Sequence, residues 1–378
     1  MGSTADPARV GYEELLGALK HAGELVRDPV RGASDAVRRA EGYAYMTELL
    51  RTALDLYADA DADAPRFAPI SSPTPYHAGS LAIGRVQGGA NPDALYDFAS
   101  LRADRAYRIS GRRGNDCYLS LSFSGGRAGE RPDRTVATLN DRQMTFGPDG
   151  AFEVIVSADE RPGNWVRMEP DVCSVIVRQY FEHPPAQRVP ATLAIEVLDG
   201  PGAGDGHGDD ADGAHDAARI ADRLRAAAAF VRSTNASFPF PPGPLQNAFS
   251  DPIGYTGEAG ALGTTDNVYV MGRWSLEPQQ ALVIETTPAR CRYWSVQAWN
   301  HWGQSMTGTL DPDRDHPHQI VSSTSASYEA DGSVRVVLAA RDPGTPNWLG
   351  TFGWTEGVLI FRYLSPEEPP ARPTASVR

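Results

Sequence analysis

The sequence predicts a mainly β protein: two tandem jelly-roll-like or β-sandwich units, with an N-terminal helical segment and a linking helix. The first observation is an internal repeat. Residues 149–178 and 331–362 both run Asp-Gly, a β-rich apolar stretch, a Pro-Gly turn, an Asn-Trp pair, a second apolar stretch and an arginine. The second observation is a series of short runs rich in Val, Ile, Tyr and Phe between turn signals, which is typical of sandwiches. Together they indicate that one β module occurs twice.

Changes in composition along the chain set the expected domain boundaries. We expect an N-terminal helical segment at residues 1–80, a first β unit at 81–198 and a second β unit at 246–365. Residues 199–245 combine an acidic Gly-rich stretch, which cannot bury apolar surface, with a helical pattern, and they form the predicted linker. The Pro-rich residues 366–378 are expected to form a disordered tail.

Three segments have helical periodicity. Residues 12–26 and 34–60 place apolar side chains at three- and four-residue spacing, and a third helix is expected from Asp216 to about residue 233. From about residue 80 the period changes to that of strands. The predicted strands are 105–110, 117–123, 152–157, 173–181 and 192–198 in the first unit, and 281–286, 293–299, 318–322, 333–340 and 357–364 in the second. Asp149-Gly150 and Asp331-Gly332 predict tight hairpins, because glycine adopts positive φ at little cost.

Composition narrows the class of protein. The chain has 378 residues, a formal net charge of −13 and 41% hydrophobic residues, so it can bury a substantial core. No basic stripe of a nucleic-acid-binding protein is present. No apolar stretch approaches the roughly 20 residues that span a bilayer. We therefore expect a cytoplasmic protein without membrane insertion or a nucleic-acid partner, compatible with a homo-oligomer.

The second unit has the densest group of polar and aromatic residues. The matching stretch of the first unit, LSFSGG, is plain, so the second unit is the better candidate for a site. The predicted substrate-binding residues are Tyr293, Trp299, Asn300, Trp302, Gln304 and Trp348. Apolar walls with a few polar groups are typical of small-molecule sites. The alternative is that these aromatic residues belong to the core or plug the ends of the sandwich.

Three residues of the second unit are catalytic candidates. His301 could move a proton, and Arg362 or Asn347 could hold an oxyanion. Each also has a structural interpretation. His301 could be a hydrogen-bonded loop histidine, Asn347 could hold its loop through backbone bonds, and Arg362 could tie that loop to the last strand.

The sequence predicts no cofactor and no metal site. It has no phosphate loop, no dinucleotide glycine fingerprint after a strand, no G-x-S-x-G, no H-E-x-x-H and no C-x-x-C. The Asp- and His-rich stretch at 311–318 leaves open whether it binds a hard ion or zinc, or is a solvated loop.

Several segments resemble a known family. NPDALYDFASLRADRAYRISGRRG, RPGNWVRM and TPNWLGTFGWTEGVLIFRYL are similar to bacterial proteins carrying the domain of unknown function numbered 1214, and AEGYAYMTELLRTAL is similar to the region preceding that domain. The resemblance extends over about residues 34–365. It implies a β-sandwich or jelly-roll domain with helical additions, and it brings no activity and no catalytic residue.

Two function hypotheses follow, with a purely structural role as a third. The first is a cytoplasmic enzyme of specialised or lipid metabolism that acts on an apolar or aromatic small molecule by cofactor-free acid/base chemistry, as a hydrolase, lyase, isomerase or cyclase. The second is a non-catalytic module that binds a carbohydrate or a hydrophobic metabolite. The exposure of Trp299 and Trp302 separates them, because sugar stacking needs an exposed aromatic platform.

Overall fold

The computed structural model describes residues 6–33, 36–71, 89–199, 213–239, 245–254, 264–306 and 318–378. The described chain groups into two compact units. Unit 1 draws on Met1–Ile70 and Asp93–Ser237, and unit 2 on Ser71–Pro92, Phe238–Thr256 and Gly263–Arg378. The linker stretch at 200–212 and the Asp- and His-rich residues 311–317 lie outside the described residues.

Unit 1 combines helices with a β-sandwich. Its helices are α1 (Pro7–Leu25), α2 (Ala36–Ala53), a π-helical turn (Leu54–Ala58) and α3 (Gly213–Ser237), with a short 3₁₀ turn at Pro185–Gln187. Its strands are β1 (Ala68–Ser71), β2 (Ala94–Ser100), β3 (Ala106–Arg112), β4 (Tyr118–Gly125), β5 (Arg134–Asn140), β6 (Ala151–Ser157), β7 (Asn164–Arg167), β8 (Val172–Tyr180) and β9 (Thr192–Asp199). They form sheet 1, with the order β1-β2-β8-β4-β5, and sheet 2, with the order β7-β6-β3-β9.

Unit 2 is a β-sandwich. Its strands are β10 (Ala248–Phe249), β11 (Ile253–Gly254), β12 (Asn267–Ser275), β13 (Ala281–Thr286), β14 (Tyr293–Trp299), β15 (Ile320–Ser322), β16 (Val334–Ala339), β17 (Trp348–Gly350), β18 (Glu356–Leu364) and β19 (Thr374–Val377). Sheet 3 has the order β10-β12-β18-β14-β15, with β11 also pairing β12, and sheet 4 has the order β17-β16-β13-β19.

In each unit the two sheets share one apolar core. The core of unit 1 joins Leu121 and Val177 of sheet 1 to Val154 of sheet 2. The core of unit 2 joins Phe361 of sheet 3 to Ile284 of sheet 4. Alternate residues of each central strand point into the core, as expected where two sheets pack face to face. The mainly β prediction is therefore confirmed.

The two sandwiches have the same topology. Strands β2 to β9 follow one another in the same order, and pair with the same partners, as β12 to β19. In both units the strand with the Asn-Trp pair runs parallel to its neighbour, β7 to β6 and β17 to β16, whereas the other pairings among β2–β9 and β12–β19 are antiparallel. The Asp-Gly hairpins also recur, with φ of +78° at Gly150 and +82° at Gly332. The shared strand order supports the internal duplication that the repeat predicts.

One expectation at the C-terminal end was wrong. Thr374–Val377 is not a disordered tail, because it forms the antiparallel edge strand β19 on β13. The Pro-rich residues precede this strand, and Thr374–Val377 then pairs with β13.

Helix α1 of unit 1 begins with a side-chain cap. Asp6 accepts a hydrogen bond from the backbone N–H of Ala8 at 3.0 Å, which starts α1 several residues before the expected position. A Cβ on Gly11 would lie 2.7 Å from the Ala221 carbonyl, so α1 and α3 pack closely at this point. No helix in the described part of the chain is long and apolar enough to cross a membrane.

Candidate functional site

The candidate site lies on the face of sheet 3 that points away from the sandwich core, here called the outer face of sheet 3. Side chains alternate along a strand, so Leu359, Phe361 and Tyr363 enter the core. Ile360 and Arg362 consequently lie on the outer face. Ile360 packs there with Tyr269 and Trp299 in a second, smaller apolar cluster.

Arg362 lies at the centre of this face, between two residues of neighbouring strands. It is directly opposite Tyr269 of β12 on one side and Ser295 of β14 on the other. We call these three residues the arginine rung. Unit 1 has the same three residue types at the equivalent register, Arg178 between Tyr96 and Ser120.

The guanidinium of Arg362 is buried among neutral groups. Arg362 is 4% exposed. Its Nη1 donates to Gln297 Oε1 and its Nη2 to the Gly89 carbonyl, each at 2.6 Å, and its Cζ lies 5.5 Å from the centre of a Trp299 ring. Among the described residues, no carboxylate oxygen lies within 4.0 Å of this guanidinium. The buried charge of Arg362 therefore has no counter-ion at this distance, and such a charge is costly to bury.

Residues 89–91 cover the arginine rung through polar contacts. The Ala90 carbonyl accepts from Gln297 Nε2 at 2.8 Å and from the Ser305 hydroxyl. Asn91 Nδ2 donates to the Tyr293 hydroxyl at 3.4 Å. Hydrogen bonds thus join this segment to Gln297, Ser305 and Tyr293 of unit 2.

Gly89 can be only a glycine in this arrangement. Its φ is +65°, and a Cβ built on it would lie 2.0 Å from the Trp299 ring. Because glycine tolerates both the positive φ and the close approach to Trp299, the backbone can place the Gly89 carbonyl within reach of Arg362. Its N–H donates to the Gly303 carbonyl at 2.9 Å, which fixes the other side of the peptide.

Ser295 contributes an unused hydroxyl. It is fully buried, and its Oγ has no hydrogen-bond partner. Ser120, at the same position of the rung in unit 1, is also fully buried with an unpartnered Oγ. A buried hydroxyl without a partner costs about 1–3 kcal/mol, so its presence beside the guanidinium calls for an explanation.

The turn at 300–304 is held by Asn300. Its Oδ1 accepts from the backbone N–H groups of Trp302 and Gln304, both at 3.0 Å, and its Nδ2 donates to Gln304 Oε1 at 2.9 Å. These bonds give Asn300 and Gln304 a structural role in the turn. Trp302 is fully buried and Trp299 is 5% exposed, so neither forms an exposed platform.

His301 lies at the other end of the outer face. Its Nδ1 is 3.6 Å from Glu356 Oε1, and its ring packs edge-on against Trp302 with centroids 4.9 Å apart. The His301 side chain is 16% exposed and that of Glu356 is 60% exposed. Glu356 lies six residues before Arg362 on β18, about 20 Å along the strand. The structure therefore does not place His301 beside the guanidinium.

Asn347 holds a loop. Its Nδ2 donates to the carbonyls of Ser327 and Arg335 at 2.7 and 3.1 Å, and its Oδ1 accepts from Ser327 N–H at 2.8 Å. Asn164 makes the same three bonds in unit 1. Both amide protons are used, so the catalytic role expected for Asn347 has no donor left for an oxyanion.

Trp348 is separate from the arginine rung. It lies on β17 of sheet 4, where its Nε1 donates to the Ala339 carbonyl at 3.0 Å and its ring lies 4.1 Å from that of His318. Tyr293 does lie near the arginine rung, where its hydroxyl accepts a hydrogen bond from Asn91. In the ranges that the structure describes, no three His, Cys, Asp or Glu side chains are grouped as metal ligands.

The sequence revealed only some of the partners of Arg362. Gln297 was detectable, because Tyr293, Ser295, Gln297 and Trp299 alternate on one face of β14. Residues 89–91 carry no motif, and Gly89 is separated from Arg362 by 273 positions. Only the fold brings them together.

The fold is that of a duplicated β-sandwich protein with helical additions. Its second unit has a buried arginine on the outer face of sheet 3. Residues 275–368 match the family described as "Protein of unknown function (DUF1214)". This stretch of unit 2 is thus similar to the family that the resemblance indicated, although the match is shorter than the 34–365 expected. No curated protein matches the sequence.

Several solved structures are similar to this chain. A crystal structure of an uncharacterised protein from Burkholderia cenocepacia has 29% sequence identity and a TM-score of 0.79, covering 97% of this chain and 96% of that chain. The VPA0106 protein from Vibrio parahaemolyticus has 11% identity and a TM-score of 0.43, covering 77% and 91% of the two chains.

Proposed function

We propose that unit 2 binds an apolar or aromatic small molecule with a negatively charged group, and that Arg362 holds this group. The proposal belongs to the hydrophobic-metabolite alternative. It requires no cofactor, no nucleic acid and no membrane insertion, and it is compatible with a cytoplasmic protein and a homo-oligomer.

The observation that carries the proposal is the buried guanidinium with only neutral acceptors. Arg362 donates to an amide oxygen and to a peptide carbonyl, and it stacks on Trp299. Buried charges in proteins are normally paired, since the desolvation cost is otherwise several kcal/mol. An anionic ligand would supply the missing charge, and the apolar cluster of Tyr269, Trp299, Val358 and Ile360 would contact the rest of it.

Carbohydrate stacking has less support. A sugar-binding platform presents an exposed aromatic plane, whereas Trp299 and Trp302 are both buried. Gln297, Ser305 and Arg362 are already joined through hydrogen bonds on this face, so few polar groups remain for a ring of hydroxyls. The geometry favours an apolar ligand with one charged end.

The proposal predicts binding of aromatic anions that depends on Arg362. We would titrate the protein with 1-naphthoate, 1-naphthalenesulfonate and 1-naphthyl phosphate by calorimetry. Arg362→Gln is expected to weaken the best of the three by at least tenfold, since a charge-assisted bond contributes about 1.5–3 kcal/mol.

Arg335→Gln is the matched control, because Arg335 is an exposed arginine of the same unit, paired with Glu285. It should leave binding unchanged. If none of the three anions bound, or if both variants behaved like the unmodified protein, the proposal would be wrong.

Acid/base catalysis is the second candidate. The contact between His301 and Glu356 favours it, because a carboxylate can orient an imidazole for proton transfer. A ligand spanning the outer face would reach from Arg362 toward this pair. The enzyme hypothesis additionally requires His301→Ala to abolish turnover while Arg362-dependent binding persists.

A further inference from the structure

We propose that the charged group of the ligand is a carboxylate, which replaces the Gly89 carbonyl on Arg362 and accepts a second hydrogen bond from Ser295. This inference rests on the proposed function and names its ligand class. It assigns the Gly89 carbonyl the role of a stand-in for one carboxylate oxygen, and it gives the unused serine hydroxyl a partner.

Arg362 already has an acceptor at the position that the carboxylate would take. The Gly89 carbonyl receives a 2.6 Å bond from Nη2, so an oxygen atom already occupies one acceptor position of the guanidinium. A carboxylate oxygen at the same position would form a charge-assisted bond, which is roughly twice as strong as a neutral one. The exchange therefore favours the ligand, even though the hydrogen bond from Arg362 to the Gly89 carbonyl is lost.

Ser295 is the second residue that the carboxylate would contact. It lies directly opposite Arg362 in the antiparallel β14–β18 pair, so the two Cβ atoms are about 5 Å apart on the same face. The serine Oγ is buried and unpartnered. A planar group with two oxygens can bridge a guanidinium and a neighbouring hydroxyl, which is the spacing that a carboxylate provides.

The residues next to the arginine rung on the outer face are uncharged. The rungs on either side of the arginine rung consist of Asn267, Leu364 and Tyr293, and of Met271, Ile360 and Gln297. None of these six is charged, so Arg362 supplies a single positive charge across three rungs. One positive charge matches a monoanion, whereas a phosphate dianion would remain partly uncompensated.

The test compares the three naphthalene anions on Ser295→Ala. The unmodified protein should bind 1-naphthoate more tightly than the sulfonate or the phosphate. Ser295→Ala should weaken 1-naphthoate by about tenfold, the effect of one hydrogen bond to a charged group, with little change for the other two. Ser120→Ala, the same change on the equivalent rung of unit 1, should leave all three affinities unchanged.

Stability measurements separate a binding role from a structural one. Removing an unpartnered buried hydroxyl should leave the urea midpoint of Ser295→Ala equal or higher, whereas a structural hydroxyl would lower it. Tightest binding of the phosphate or the sulfonate through Arg362 would overturn the carboxylate assignment and leave the proposed function standing. Equal carboxylate affinity in Ser295→Ala would overturn it as well, and Arg362-independent binding of all three would overturn both proposals.

Discussion

Replacing Asp97 by valine is expected to raise the free energy of unfolding of unit 1 by about 4 kcal/mol at pH 8. Asp97 lies on β2 opposite Val177, a residue of the unit 1 core, so its carboxyl group faces that core. It is buried, and its Oδ2 has no hydrogen-bond partner. The equivalent position of unit 2 is the core residue Val270.

The stabilisation depends on pH in a defined direction. Burial raises the pKa of Asp97 from its ordinary value of 3.8 to about 7. The folded state therefore binds the proton more tightly than the unfolded state, and stability falls as the pH rises from about 4 to about 7. Above pH 7 the penalty is complete. Asp97→Val removes this slope, so its advantage should be about 3 kcal/mol larger at pH 8 than at pH 5.

Urea denaturation of both proteins between pH 5 and pH 8 measures this difference. Asp97→Asn is the matched control, since the amide has the same shape and no charge. It should lose the pH dependence and gain less stability than valine, because it still buries a polar group. An unchanged pH dependence in both variants would show that Asp97 is not the ionisable group responsible.

Replacing Gly357 by alanine is expected to destabilise unit 2 by about 3 kcal/mol. A Cβ at this position of β18 would lie 2.0 Å from the Trp299 carbonyl and 2.8 Å from Trp274 Nε1. The first contact is with backbone, so no rotation of a side chain can relieve it. The strands β18 and β14 would have to separate where they pair.

Gly254→Ala is the control for this substitution. Gly254 is also a strand residue of unit 2, and a Cβ on it would meet no heavy atom within 4 Å. Its urea midpoint should stay close to that of the unmodified protein. Equal effects of the two substitutions would show that the close approach at Gly357 does not constrain the sheet.

The sequence predicted the repeated architecture well because the repeat is local. Asp-Gly turns, alternating apolar residues and the Asn-Trp pair each act within a few positions, and the structure contains them in both units. The tail was predicted wrongly because β19 is formed by pairing with β13 and not by the propensity of its own four residues. Edge strands of this kind depend on the partner that the fold provides.

The candidate site was predicted only in part for the same reason. Arg362 and Trp299 were detectable from the strand pattern, and they do meet on the outer face of sheet 3. Asn347 was grouped with them because it is part of the same repeat. A residue can also recur in a repeat because it holds a loop in each copy. The matching bonds of Asn164 and Asn347 show that the loop is what both asparagines hold.

The arginine rung is the feature that the two units share and that packing alone does not require. Tyr-Arg-Ser occurs at the same register in both, while the residues around it differ: Gln297 and Trp299 in unit 2 correspond to Ser122 and Ser124 in unit 1. The duplicated framework therefore keeps a buried arginine and changes its surroundings. In unit 2, these surroundings provide the aromatic face that the proposed ligand needs.

The position of the proposed ligand can be observed by anomalous diffraction from crystals soaked in 4-iodobenzoate, because the iodine atom reports where the ligand lies and how it is oriented. We expect iodine over the apolar cluster of Trp299 and Ile360, with the carboxylate on Arg362 and Ser295 and the Gly89 carbonyl displaced. Iodine only at sites remote from sheet 3, with the Gly89 carbonyl still bonded to Arg362, would contradict this expectation.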